Sequence, residues 1–92
     1  MATIPPGQRV ARAAVLWRRT GDEVLIRRRG HDDVVVLAGT GAALWDALET
    51  PIAVGELAER LAAAYASPLA MVEPDVVDAV ADLVAQQIVT TA

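Results

Sequence analysis

Short apolar runs dominate the first forty residues of the chain and predict strands. Residues 9–17 and 23–28 are rich in β-forming residues, and the Gly21-Asp22 pair between them is a turn signal, so the two runs predict a β-hairpin. A break at residues 30–33 precedes a short apolar run from Val34 to Leu37, which predicts a third strand. The pattern therefore predicts a three-stranded antiparallel N-terminal sheet. Its last strand is expected to be an open edge, because no later segment is predicted as a long fourth strand.

After Gly39 the apolar spacing becomes helical. Residues 40–49 predict a first helix, with Thr40 as its N-cap and Thr50-Pro51 as its end. Residues 54–65 predict a second helix with one apolar stripe, formed by Leu57, Leu61 and Tyr65. The fold class expected from this order is α+β, with the sheet followed by helices.

The prolines of the next segment allow two starts for a third helix: it could begin at Pro68 and kink at Pro74, or begin with Pro74 in its first turn. We prefer the second, which predicts a helix over residues 74–87. Its apolar face is wide, because two stripes lie side by side: Val76, Val80 and Leu83 form one, and Val77, Ala81 and Val84 form the other. The second stripe either packs against the other helices or is free to contact a partner. The spacing leaves both interpretations open.

Composition narrows the class of protein. The chain has 92 residues, of which 54% are hydrophobic and 22% charged, so it predicts one small folded domain over residues 1–92, with residues 1–8 flexible. Cysteine is absent, which excludes disulfides and thiolate chemistry. The longest weakly apolar stretch, residues 61–72, is too short to span a bilayer and contains Pro68. We therefore expect a cytoplasmic protein without a membrane partner.

Charge is distributed unevenly along the chain. Residues 1–33 contain seven of the eight arginines and four acids, whereas residues 34–92 contain eight acids and only Arg60. An anionic partner should therefore prefer the first part of the chain. The alternative is a solvated, arginine-rich strand face without a ligand.

Residues that could support catalysis are few. His31 is the only histidine and Ser67 the only serine, so neither a catalytic triad nor a multi-histidine metal site can be assembled. The three acids Asp75, Asp78 and Asp82 are expected to lie on a solvated helix face. Gly39 and Gly41 form a Gly-x-Gly pair without the rest of a dinucleotide fingerprint. The sequence predicts neither an enzyme nor a metal or cofactor site.

Two segments carry a resemblance to a known family. The run Val34-Val-Val-Leu-Ala-Gly-Thr-Gly-Ala-Ala-Leu-Trp-Asp-Ala-Leu48 and the segment from Ala53 to Tyr65, together with the order of strands and helices, resemble the PqqD family, also called the RiPP recognition element. The resemblance covers residues 9–90 and implies a winged helix-turn-helix-like fold. It also implies a non-enzymatic accessory protein in the biosynthesis of ribosomally made, post-translationally modified peptides.

The resemblance implies a specific binding mode. Members bind the leader segment of a precursor peptide as a strand added to the third β-strand, in a groove closed by the third helix. In this chain the strand would be Val34, Val35, Val36 and Leu37, and the helix wall Val77, Ala81 and Val84. The nearby arginines Arg27, Arg28 and Arg29 would pair with acids of the leader. The protein would present the peptide to a leader protease, a cyclase or a radical-SAM enzyme, as relatives do in lasso peptide, radical-SAM and quinone-cofactor pathways.

Two alternatives remain at this point. A winged-helix module can bind DNA or regulate transcription, but the acids of the third helix would repel phosphate, which disfavours nucleic acid as a partner. An open edge strand can also pair with a second copy of the chain and form a homodimer.

Overall fold

The computed structural model describes residues 4–92, which form two small antiparallel sheets and three helices. The strands are β1 (Arg9–Arg12), β2 (Leu16–Thr20), β3 (Glu23–Arg27), β4 (Val34–Leu37), β5 (Ile52–Ala53) and β6 (Val89–Thr91). The helices are α1 (Thr40–Ala47), α2 (Val54–Tyr65) and α3 (Leu69–Ala85). None of these helices is long and apolar enough to cross a membrane. The predicted α+β class is confirmed.

The predicted meander is present as a sheet in the order β2-β3-β4, but its first strand starts later than expected. The run 9–17 is not one strand, because the chain bends at residues 13–15, where the Val15 amide donates to the Ala13 carbonyl over 2.9 Å. The part before the bend, β1, belongs to a different sheet. Both halves of the run favour strand, so local propensity does not locate the bend.

The second sheet, in the order β5-β1-β6, was missed by the sequence analysis. β1 lies at its centre and pairs with the two-residue β5 on one side and with the C-terminal β6 on the other. Strands of two and three residues carry too little alternation to be recognised, and their partners are distant in sequence. The sheet ties the end of the chain to its beginning, since the Ala92 amide donates to the Arg9 carbonyl.

The first two helices lie close to their predicted positions. α1 ends at Ala47, two residues earlier than predicted, and Gly39, with φ of 54°, occupies the N-cap position that was assigned to Thr40. Thr40 is the first residue of the helix instead. α2 has the predicted bounds, but Tyr65 is 51% exposed and does not continue the buried stripe of Leu57 and Leu61.

The predicted start of α3 at Pro74 is wrong, because the helix begins five residues earlier at Leu69. Pro68 is the N-cap, and its carbonyl accepts hydrogen bonds from the amides of Met71 and Val72. Pro74 therefore lies inside the helix, where it cannot donate to the carbonyl of residue 70. The sequence offered Pro68 and Pro74 as possible starts of the helix, and the pattern favoured Pro74, whereas the helix begins directly after Pro68.

We expect Pro74→Ala to stabilise the protein. The substitution restores one helical hydrogen bond and relieves the clash of the ring with the preceding turn, and both effects stabilise the folded state. The entropy that the unfolded chain gains without proline offsets part of this stabilisation. The expected net gain in the free energy of unfolding is about 1 kcal/mol, measured by denaturant titration. Pro68→Ala is the matched control and should give no gain, because an N-cap proline is compatible with the helix. A destabilised Pro74→Ala variant would contradict this account.

The hydrophobic core lies between the three helices and both sheets, since Val10 and Val89 of the sheet β5-β1-β6 are buried in the same cluster as Val24 of β3. Trp45 of α1 is fully buried, and its ring packs edge-on against Trp17 with 5.5 Å between the centroids. The Arg12 guanidinium lies against both rings, at 4.8 and 4.6 Å from their centroids, and donates to the Trp45 carbonyl over 2.7 Å. This contact joins the central strand of the second sheet to the end of α1.

The N-terminal segment was predicted to be flexible over residues 1–8. Residues 1–3 lie outside the described part of the chain. Among the rest, Ile4 packs against the core and the Pro6 carbonyl accepts a hydrogen bond from the Gly55 amide over 2.9 Å. The flexibility of this segment stays a prediction.

Candidate functional site

β4 is an edge strand of the sheet β2-β3-β4, because β3 is its only partner among residues 4–92. Its side chains alternate between the two faces of the sheet. Val35 is half-buried and Leu37 buried on the face that packs against the helices, which we call the inner face. Val34 and Val36 are 53% and 50% exposed on the opposite, outer face. The strand thus combines an open edge with one buried face.

The β2-β3 hairpin fixes which backbone groups point to the open edge. Its two-residue turn has Gly21 at φ 55° and Asp22 at negative φ, which is typical of a type II′ turn. In such a turn the flanking residues, Thr20 and Glu23, form the hydrogen-bonded pair. Bonded and non-bonded pairs then alternate along antiparallel strands. Residue 23 and every second residue after it on β3 therefore bond to β2, and Val24 and Ile26 bond to β4.

The register transfers this alternation to β4. Val24 pairs with Leu37 and Ile26 with Val35, so the backbones of Val35 and Leu37 bond to β3. The N–H and C=O groups of Val34 and Val36 consequently point to the open edge. An added strand would bond to these two residues.

Two observations place the ends of helix α3 near the two ends of β4, with the helix and the strand in opposite directions. At the start of β4, Arg28 Nη1 donates to the carbonyl of Gln86, the C-cap of α3, over 3.4 Å. Beyond the end of β4, Thr40 shares a cavity of about 130 Å³ with Val72 and Val76 of α3. The helix rises about 15 Å from Val76 to Gln86 and about 21 Å from Val72, so it is longer than the four-residue β4.

The predicted helix wall lies between these two contacts. Val77, Ala81 and Val84 are all half-buried, and both valines pack against the core at their inner sides. They differ from Val76, Val80 and Leu83, which are buried in the core itself. The two stripes predicted from the sequence therefore differ in burial. The stripe of Val77, Ala81 and Val84, which we call the outer stripe of α3, keeps exposed apolar surface.

The three consecutive arginines have different environments. Arg28 Nη2 pairs with Asp33 over 2.9 Å, and its Nε is buried without a hydrogen-bond partner in the described structure. Arg27 lies on the outer face opposite Val34, and Arg29 is exposed in the turn before β4. Neither Arg27 nor Arg29 forms an ion pair with another described residue. Arg28 thus holds the turn against α3, while the other two keep their charges available.

These arginines also line a larger cleft at the end of the sheet. The cleft has a volume of about 720 Å³ and lies between residues 14–16 and residues 27–32. Its apolar side includes Leu16, a residue that the sequence analysis did not single out. Within the part of the chain that the structure covers, no group of three or more His, Cys, Asp or Glu side chains is arranged to hold a metal ion.

Comparison with known proteins gives one match. The model of the family described as Coenzyme PQQ synthesis protein D (PqqD) matches residues 23–89, from the start of β3 to the first residue of β6. No curated protein and no solved structure matches the chain. The matched segment includes the open edge of β4 and the whole of α3, and it extends over most of the chain. The chain therefore belongs to the PqqD family.

Proposed function

We propose that this protein binds the leader segment of a ribosomally synthesised precursor peptide and presents it to a separate modifying enzyme or leader protease. The PqqD family comprises non-catalytic accessory proteins of biosynthesis, which agrees with the scarcity of catalytic side chains in this chain. The observation that carries the proposal is the open edge of β4 with α3 running beside it. In the proposed arrangement, which is winged helix-turn-helix-like, β2-β3-β4 is the wing.

The leader would bind as a fourth strand. Its backbone would bond to Val34 and Val36, and alternate side chains would point to the inner face, against Val77, Ala81 and Val84. These small and medium-sized residues leave room for a bulky leader residue such as Leu, Ile or Tyr. Because the free leader is disordered, ordering it on binding holds the affinity to about the nanomolar to micromolar range.

Fluorescence anisotropy of labelled peptides tests the proposal. The probes are the leader segments encoded by short open reading frames near the gene, and a labelled DNA duplex is the control. Saturable binding of one leader below about 1 μM, without DNA binding, is the expected result. Salt-sensitive DNA binding without a leader response would instead support a winged-helix regulator. Asp75, Asp78 and Asp82 are all exposed on α3, and their charges argue against that outcome.

Arg29 is expected to strengthen binding of a leader that contains acids. Arg29→Glu should lower the affinity for such a leader about fivefold at low salt, since an exposed charge contributes modestly to binding. The difference in affinity between the variant and wild type should shrink as the salt concentration rises. Arg60→Glu on α2, which is also exposed, is the matched charge reversal and should leave the affinity unchanged. Equal affinities of Arg29→Glu and wild type at low salt would remove Arg29 from the site.

A further inference from the structure

The outer face of the sheet β2-β3-β4 is an exposed apolar surface. The register places Leu16, Arg27 and Val34 in one row across the three strands, and Arg18, Leu25 and Val36 in the next. Leu16 is 73% exposed, and Val34 and Val36 are about half exposed. Four apolar side chains therefore lie together on a face that no other described element covers.

The charges on this face indicate what can cover it. Arg18 and Arg27 lie among the apolar side chains, and neither has a carboxylate partner within residues 4–92. A second copy of the chain stacked on this face would bring arginines against arginines, which is unfavourable. The complementary surface is an apolar patch on a different protein with carboxylates placed to meet the two guanidinium groups.

We propose that the outer face docks the enzyme that acts on the bound peptide, an inference that rests on the proposed leader binding. A strand added to β4 sends every second side chain to the outer face, next to Val34 and Val36. These peptide side chains extend the surface that Leu16 and Leu25 begin. The enzyme contacts the domain and the peptide on one continuous surface, and the leader consequently raises the affinity of the domain for the enzyme.

The test uses a double variant distant from the open edge. Leu16→Ser and Arg18→Glu both lie on β2, with β3 and β4 between them and the position of the leader, and both side chains are exposed. Arg60→Glu on α2 is the control for charge reversal. The probe is the purified modifying enzyme or leader protease encoded beside the precursor gene. Its binding is measured by biolayer interferometry with and without saturating leader, and leader binding is measured separately by anisotropy.

We expect the double variant to bind the leader within twofold of wild type and the enzyme at least about tenfold more weakly, while Arg60→Glu binds both normally. Saturating leader should strengthen enzyme binding to wild type. Unchanged enzyme binding by the double variant, or no enzyme binding by leader-loaded wild type, would overturn the docking surface. A wild-type protein that binds no leader would overturn the proposed function itself, so the two failures are distinguishable.

Discussion

Replacement of Val36 by proline is expected to weaken leader binding by about 100-fold or more, while the domain remains folded. The Val36 N–H points to the open edge, so proline removes a donor that the added strand needs and places its ring where the peptide backbone lies. The bonds between β4 and β3 are spared, because they belong to Val35 and Leu37. Anisotropy with the labelled leader gives the affinity, and circular dichroism gives the fold.

Two further variants make this prediction specific. Val36→Thr keeps the N–H group and the β-branched shape, and it should bind the leader within about threefold of wild type. Val35→Pro removes a donor within the sheet, between β4 and Ile26, and should lower the melting temperature clearly. A folded Val36→Pro variant with wild-type affinity would show that the leader does not bind at this edge.

The sequence predicts the parts of this fold that have strong local signals. The turn at Gly21-Asp22, the run from Val34 to Leu37 and the stripe of α2 each fix an element within its own segment. The second sheet has no such signal, because β1 is held by β5 and β6 from distant parts of the chain. The bend at residues 13–15 is a consequence of that long-range pairing.

The burial pattern of α3, on which the candidate site depends, was predictable for a similar reason. The helical period of α3 correctly assigns Val76 to the buried stripe and Val77 to the outer one. This assignment depends only on the spacing of the residues, so the wrong start at Pro74 did not affect it. The different roles of Arg27 and Arg28 were not predictable, because they depend on the contacts of Arg28 with Asp33 and Gln86. The position of Leu25 on the outer face was predictable from the sequence but was overlooked. Leu25 lies between Val24 and Ile26 on β3, and because these two residues are buried, Leu25 faces the other side of the sheet.

Val84→Glu is expected to weaken leader binding roughly 10- to 100-fold without unfolding the protein. Val84 is half-buried on the stripe of α3 that we propose as the wall of the groove, so a carboxylate at this position reaches solvent in the free protein. A bound leader would cover that position with an apolar side chain and strip the carboxylate of water, which costs free energy only in the complex. Anisotropy with the labelled leader measures the loss.

The adjacent residue supplies the control for this prediction. Leu83 is buried in the core, so Leu83→Glu places an unpaired carboxylate where the fold leaves no water and should unfold the domain. If the outer stripe borders a groove, Val84→Glu lowers the affinity for the leader, whereas Leu83→Glu lowers the stability of the fold. If Val84→Glu lowers the melting temperature as much as Leu83→Glu does, the outer stripe belongs to the core. The leader would then have no apolar wall on α3, and its inward side chains would need another surface.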